Sequence, residues 1–361
     1  MDRRDFLKTT GSAAATAGMI ASATSAVAGS GVAVAIGDQH SGPHIGSSAR
    51  ELGLAIGAPD NGTGLGENAR RLARRIEELT GGRYRIHILT DVSAHDAGLW
   101  AGSAHDSAAI DPAFSYFAGL PGRHGIAGND LDAWLAIGGG QRLWDELAMA
   151  HGFKPFLTGH SGANPAIWSR QPLASGNGFA GLRYAAAGLA GDVARGLGAH
   201  PVALKMGEEA TALTAGQVDA LEGGGAMHSL ASGLPAAAKF ALAAGINRQG
   251  TAQSLSINLG QWERMSASDQ AAITAACAEE FRLAHGEARA HETLSWRVMN
   301  ERHGVILSAA NSELLEAIDR VSDAVVAHAA GSSQTAKRIN ASFMAFRAML
   351  PLNASPAIRV A

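Results

Sequence analysis

Four short stretches of this chain bring together residue types that can do chemistry. His95-Asp96 and His105-Asp106 form its densest polar cluster. An imidazole beside a carboxylate can relay a proton or share a metal, but the glycines and alanines between the two pairs leave no spacing that matches a ligand set. The pairs read as histidines at a cleft edge or on the surface. Gly64-Leu65-Gly66-Glu67-Asn68-Ala69 has the form G-x-G-x-x-A, with Asp91 at the end of the next strand, where a ribose-binding acid would stand. Glu67, however, puts negative charge at the helix start that a pyrophosphate would need, and among 45 glycines a chance match is expected. The stretch reads as a loop whose backbone approaches a ligand cleft. Gly159-His160-Ser161-Gly162-Ala163-Asn164 is polar and glycine-rich, chemistry suited to a cleft edge. His40 and His44 have a spacing that could bind a metal on a helix, but Gly42 and Pro43 lie between them, and a solvated linker is the stronger reading.

Nucleophile and metalloenzyme motifs are missing. His291 opens no His-Glu-x-x-His, and His285 and His291 are six apart, off a common helix face. Gly159-His160-Ser161-Gly162 lacks the second spacing glycine of a nucleophile elbow. Cys277 lies in an alanine-rich helical stretch and reads as a core thiol; as a lone cysteine it forms no internal disulfide. A net charge of −3 argues against a nucleic-acid partner, and 361 residues that are 47% hydrophobic supply enough core for two domains. The expectation is a protein that is not an enzyme and carries no cofactor.

The elements that must position these residues follow from periodicity. Residues 51–58 read as a strand, 67–79 as a helix with Leu72, Ile76 and Leu79 on one face, and 83–89 as a second strand after the Gly81-Gly82 stop. Residues 130–149 read as helical, broken at Gly138-Gly139-Gly140. Strand candidates follow at 153–157 and 166–169, and residues 181–222 alternate β, α, β, α, β, the signature of a small parallel unit. Residues 266–302 form a long helix capped by Ser266, 305–308 a short strand, and 311–350 further helix interrupted at Gly331-Ser332-Ser333. Leu314, Ile318, Val321 and Val325 give that last helix its apolar face.

Asn164, Trp168-Ser169-Arg170-Gln171-Pro172-Leu173, Gly181-Leu182-Arg183, Gly188-Leu189-Ala190-Gly191 and Leu197-Gly198-Ala199-His200-Pro201-Val202 occur in an order that resembles the DctP-type solute-binding proteins of tripartite (TRAP) transporters. Ala212 to Glu222 is similar to that family's helix-turn-strand signature, and Ser256-Ile257-Asn258-Leu259 with Trp262 continues the agreement. Gly138-Gly139-Gly140-Gln141-Arg142-Leu143-Trp144 and Lys154-Pro155-Phe156 resemble the branch that binds 2-oxoacids and related carboxylates. The resemblance implies an α/β, two-domain periplasmic binding protein fold with a ligand cleft, crossing hinge strands and long C-terminal helices. Domain I would comprise residues 49–158 and about 250–285, and domain II residues 159–249 and about 286–350 with the C-terminal helices. The crossings would be residues 156–161 and 253–259. The C-terminal helix would support a homodimer or pack on its own chain.

The resemblance also implies a ligand-binding set: Asn164, Trp168, Arg183, Ala185, Glu222 and Arg248. Ala185 stands where the family's carboxylate-clamping arginine is expected, and Arg183, two residues earlier, is one pleat away. Asn164 replaces a glutamine, Gly223 an aromatic, and Arg248 an acid that would partner Glu222 at a metal, so no metal is expected. Either Arg248 takes over anion recognition, or it pairs with Glu222 and the cleft accepts a neutral polar solute. The partners implied are a small organic acid or polar solute and the TRAP membrane subunits.

Residues 1–28, with Arg3-Arg4, a mild apolar run and Ala26-Val27-Ala28, resemble a twin-arginine export signal, which implies a periplasmic protein; residues 29–48 read as a flexible leader. Two other classes stay open: a twin-arginine-exported, nucleotide-dependent oxidoreductase, and a ligand sensor or scaffold using a binding-protein fold.

Overall fold

The computed structural model describes residues 49–57, 64–89, 98–164, 166–173 and 178–350. Arg3, Arg4, His40, His44, Asp91, His95 and Asp96 lie outside them. Strand β1 (Arg50–Ile56), helix α1 (Leu65–Leu79) and strand β2 (Tyr84–Leu89) form the first β-α-β unit. Leu65, Leu72 and Ile76 are buried along α1, while Arg74 and Glu78 are exposed on its opposite side. Strand β3 (Leu99–Ser103) pairs parallel to β1. A short helix α2 (Ser115–Ala118) leads to α3 (Gly128–Ala136), α4 (Gly140–Met149) and β4 (Phe153–His160). The α3–α4 break falls at the glycine triplet because the Trp134 indole occupies the corner: a Cβ on Gly140 would meet its ring at 2.7 Å, and Gly139 has φ +80°.

The second sheet begins with β5 (Ile167–Ser169). The expected parallel unit follows as β6 (Arg183–Ala185), α5 (Gly188–Gly196), β7 (His200–Val202), α6 (Glu209–Thr214) and β8 (Ala220–Glu222), with β6 between β7 and β8 and parallel to both. Helices α7 (Ala226–Ala231) and α8 (Leu234–Ala237) and strand β9 (Phe240–Ala243) precede β10 (Ala252–Asn258), which returns to the first sheet antiparallel to β3 and β4. Helix α9 (Leu259–Glu263), the long α10 (Ala267–His303), strand β11 (Ile306–Ala309), α11 (Ser312–Gly331) and α12 (Gln334–Met349) complete the chain. The sheet orders are β2-β1-β3-β10-β4 and β11-β9-β5-β8-β6-β7. Among the described residues no helix is long and apolar enough to cross a membrane.

Two segments carry the chain between the sheets side by side. Ser161 donates its N–H to the Thr251 carbonyl at 2.9 Å, Thr251 N–H returns to Ser161 Oγ at 2.9 Å, and Asn164 N–H reaches the Arg248 carbonyl at 3.0 Å. The expected crossings therefore exist, but β4 and β10 proper stay in the first sheet, and the crossing itself is made by residues 161–164 and 248–251.

Helices α10 and α11 brace the same junction. Ile273 and Cys277 of α10 pack in the first core and Met299 in the second, where Trp296 stacks on Trp168 at 5.9 Å. Arg71 ties α1 to α10 with a two-pronged contact to Glu280 (2.7 and 2.8 Å) and a further bond to Glu287 at 2.8 Å. Leu314 and Ile318 of α11 lie in the second core, whereas its Val326 and Ala329 lie in the first. Helix α12 follows into the first core through Ala336, Ile339 and Phe343, with Phe343 edge-on to Trp134 at 5.0 Å. This corrects the expected assignment of the whole C-terminal stretch to domain II. The aromatic group Phe117, Trp134 and Trp144, stacked at 5.2 Å on either side of Phe117, belongs to the core that α12 joins, and the buried face of α12 is spent on its own chain.

Candidate functional site

Asn164, Glu222 and Arg248 come together where β8 ends and the two crossing segments run. In open α/β sheets ligands bind beyond the carboxyl ends of the strands, and Ala185 and Glu222 occupy those ends in β6 and β8. The Glu222 carboxylate accepts the backbone N–H groups of Ile246 and Asn247, the latter at 3.1 and 3.2 Å. Burial still dominates: it pushes the Glu222 carboxyl up to about 7, against the opposing pull of those amides and of the nearby Arg248. The Tyr184 hydroxyl lies beside this carboxylate without completing hydrogen-bond geometry, and burial raises its pKa further than Glu222 does.

Asn164 is 5% exposed and donates its side-chain N–H to the Gly223 carbonyl at 2.5 Å. Its amide nitrogen is thus used inside the protein. The glycine at 223 follows from the same packing: a Cβ there would sit 2.3 Å from Ser229 Oγ and 3.1 Å from Trp168 Nε1, so an aromatic side chain does not fit. Trp168 is fully buried, and its Nε1 has no hydrogen-bond partner.

The two arginines have different surroundings. Arg183 is 47% exposed, and its fork is filled by Asp219 (Nε to Oδ2 3.0 Å, Nη2 to Oδ1 2.5 Å) and the Gly216 carbonyl at 2.5 Å. It lies at the start of β6, beside the residue that precedes β8, and so at the end of the sheet away from Glu222. The expectation that it shares the site is corrected accordingly. Arg248 is 18% exposed and donates Nη2 to Asp319 of α11; of the two alternatives left open by the sequence, a direct Arg248–Glu222 pair is not formed. Nε and Nη1 of Arg248 have no acceptor among the described residues. Asp319 was not foreseen, because it stands 71 positions from Arg248 and on a helix whose apolar pattern says nothing about its polar face.

The His105–Asp106 pair caps the carboxyl end of β3 in a short 3-10 turn, Ala104–Ala109. Burial of the ring lowers His105 to about 4, its Nε2 lacking a hydrogen-bond partner; the residue as a whole is part-buried, and Asp106 beside it is exposed. Cys277 is buried, which raises its thiol pKa, and it is unsuited to nucleophilic attack.

Glu222 yields a direct test. Its folded-state pKa lies above the ordinary carboxyl value, so its contribution to stability is full below about 4.5 and is lost as pH rises toward 7. Glu222→Gln, which does not titrate, should gain in melting temperature relative to wild type as pH goes from 5 to 8. A constant difference across that range would show that the carboxyl is not so displaced.

Comparison with known proteins extends this geometry. The Monocarboxylate 2-oxoacid-binding periplasmic protein of Nostoc sp. is 25% identical over 295 residues, covering 76% of this chain and 78% of that protein. A TRAP transporter solute-binding protein of Bordetella bronchiseptica, with copurified calcium and picolinate in its active site, superposes with a TM-score of 0.78 at 20% identity, covering 84% of this chain and 93% of the other. A TRAP periplasmic solute-binding protein of Colwellia psychrerythraea with bound calcium and pyruvate gives a TM-score of 0.76 at 20% identity, covering 83% and 95%. The two-sheet architecture is the two-domain fold of these proteins.

The residues present do not fit the calcium of those relatives. Calcium takes six to eight oxygen ligands, several from carboxylates. Here both Glu222 oxygens accept backbone N–H groups, a guanidinium lies nearby, and among the described residues no three His, Cys, Asp or Glu side chains come together as a metal site. Residues 127–332, well over half of the chain, match the family model for bacterial extracellular solute-binding protein, family 7, known as DctP, and the chain belongs to that family.

Proposed function

We propose that this protein captures a small organic acid in the cleft between its two lobes and presents it to TRAP membrane subunits, with Arg248 as the carboxylate-binding group. The observation that carries the reading is the state of Arg248: one edge held by Asp319, the other donors without an acceptor, 18% exposed and close to Glu222. An ammonium would be a point charge there, whereas the guanidinium fork offers two parallel N–H groups to a carboxylate. Ala185 at the end of β6 has no charged group of its own to offer. Export by the twin-arginine route through Arg3 and Arg4 and residence in the periplasm belong to the same reading. It is supported by the residue order at the N-terminus and by the periplasmic, pyruvate- and picolinate-binding relatives.

Calorimetry of the purified protein with pyruvate, picolinate, pyroglutamate and a neutral polar control tests it. Arg248→Ala should weaken the best organic acid by roughly 10- to 100-fold, the worth of a hydrogen bond to a charged group. Wild-type affinity should be unchanged by EDTA. Unaltered acid binding in Arg248→Ala would remove Arg248 from the site, and loss of binding in EDTA would restore a metal to it.

A further inference from the structure

We propose that Asp319 is a positioning residue for ligand recognition: its carboxylate locks one edge of the Arg248 guanidinium so that the opposite edge is presented to the ligand. The inference rests on the assignment of Arg248 as the carboxylate-binding group and adds the residue that orients it.

Three observations carry it. First, the contact is one-sided. Asp319 and Arg248 are joined through a single Nη2–Oδ1 bond, not the two-pronged arrangement that Arg183 makes with Asp219 and Arg71 with Glu280. A carboxylate that only neutralised the arginine would gain more from the fork-on-fork geometry. Second, Asp319 is firmly placed. It follows Ile318, which is fully buried in the second core, on a helix whose far end is buried in the first core through Val326 and Ala329. Its Oδ1 also faces the turn at Gly122, where a Cβ would stand 3.0 Å away.

Third, the backbone carrying Arg248 is held as well. Ile246 accepts the Gly122 N–H at 2.7 Å, Ile246 and Asn247 donate to Glu222, and the Arg248 carbonyl accepts the Asn164 N–H. With its backbone and one guanidinium nitrogen fixed, a long flexible side chain has lost most of its rotamer freedom before a ligand arrives. The remaining edge then binds without that loss.

The test is a double-mutant cycle on ligand affinity, using whichever of pyruvate, picolinate and pyroglutamate wild type binds most tightly. The variants are Asp319→Asn, Asp319→Glu, Arg248→Lys and Arg248→Lys with Asp319→Asn, with melting temperatures recorded for all. Asp319→Asn should weaken binding about 10-fold in the wild-type background and less than 2-fold in the Arg248→Lys background, because an ammonium has no fork to orient. Asp319→Glu should restore part of the loss. Equal losses in both backgrounds would make Asp319 merely structural and overturn the proposal.

If Arg248→Ala weakens binding but Asp319→Asn does not, this inference alone fails; if Arg248→Ala has no effect, the recognition role fails and this inference with it. A ligand-free readout keeps the proposal testable with any solute. The side-chain Nε–H resonance of Arg248, identified by its loss in Arg248→Ala, should report an ordered guanidinium in wild type and an averaged one in Asp319→Asn. An unchanged signal would overturn the positioning role.

Discussion

Gly250→Ala should lower the melting temperature more than Gly233→Ala. Gly250 has φ +94°, and a Cβ built on it would lie 1.8 Å from the Gly162 carbonyl oxygen and 2.8 Å from His160 Cε1. The obstructing atom belongs to the backbone of the opposite crossing segment, so it cannot rotate away as the tip of a flexible side chain would. Left-handed strain and overpacking together are expected to cost roughly 2–6 kcal/mol, or about 5–15 °C for a chain of this size. Gly233→Ala is the matched control: its φ is +81°, and nothing lies within 4 Å of the added Cβ. It should show only the left-handed penalty of about 1–2 kcal/mol. Scanning calorimetry of both variants at one scan rate separates the effects. Equal losses would mean that the two crossing segments are not in the close contact described.

The second large effect is loss of stability in acid, read through His160. This ring is 2% exposed where β4 leaves the first sheet; its Nδ1 accepts the Gly162 N–H at 3.2 Å, and His285 of α10 meets it edge-on at 5.8 Å. Burial first, and the neighbouring His285 second, lower its pKa to about 3. His285 is lowered too, by burial and then by Arg289, with Asp132 of α3 acting in the opposite direction. A histidine whose folded pKa is depressed contributes fully above its ordinary value of 6.5, and that contribution is lost as pH falls toward the folded pKa.

Between pH 6.5 and about 3 the His160 ring therefore costs about 1.4 kcal/mol per pH unit. Denaturant titrations at pH 7, 6, 5 and 4 should show wild type losing stability more steeply than His160→Gln, which cannot take up a proton. Glu222 runs with the opposite sign between pH 4.5 and 7, so the comparison between the two proteins isolates the histidine. Parallel pH profiles would show that His160 protonates freely in the folded protein. Because the ring sits among Gly128, Gly250 and His285, its charging strains the junction through which the lobes are connected.

Most of the architecture could be read from local pattern. The apolar face of residues 67–79, the Gly81-Gly82 stop, the triple-glycine break before α4 and the parallel unit ending at Glu222 all matched the structure within a few residues. Periodicity and turn chemistry are short-range properties, and the burial that produces them is written along one element at a time. Of the residues singled out in the sequence, Asn164, Glu222 and Arg248 are joined through the backbone of residues 223 and 246–248, a juxtaposition of segments more than fifty positions apart.

Residue order and periodicity thus carry an α/β chain with crossing segments. What those charges do is assigned only by the folded arrangement. Arg183 and Ala185 are two positions apart, yet one is paired with Asp219 at the amino end of β6 and β8 and the other stands at the carboxyl end of β6. Arg248 is paired with Asp319, not with Glu222, and α12 packs on the first lobe because the aromatic group around Phe117 lies there. An ion pair or a helix docking face depends on which surfaces the completed fold brings within a few ångströms. No spacing along the chain encodes that distance.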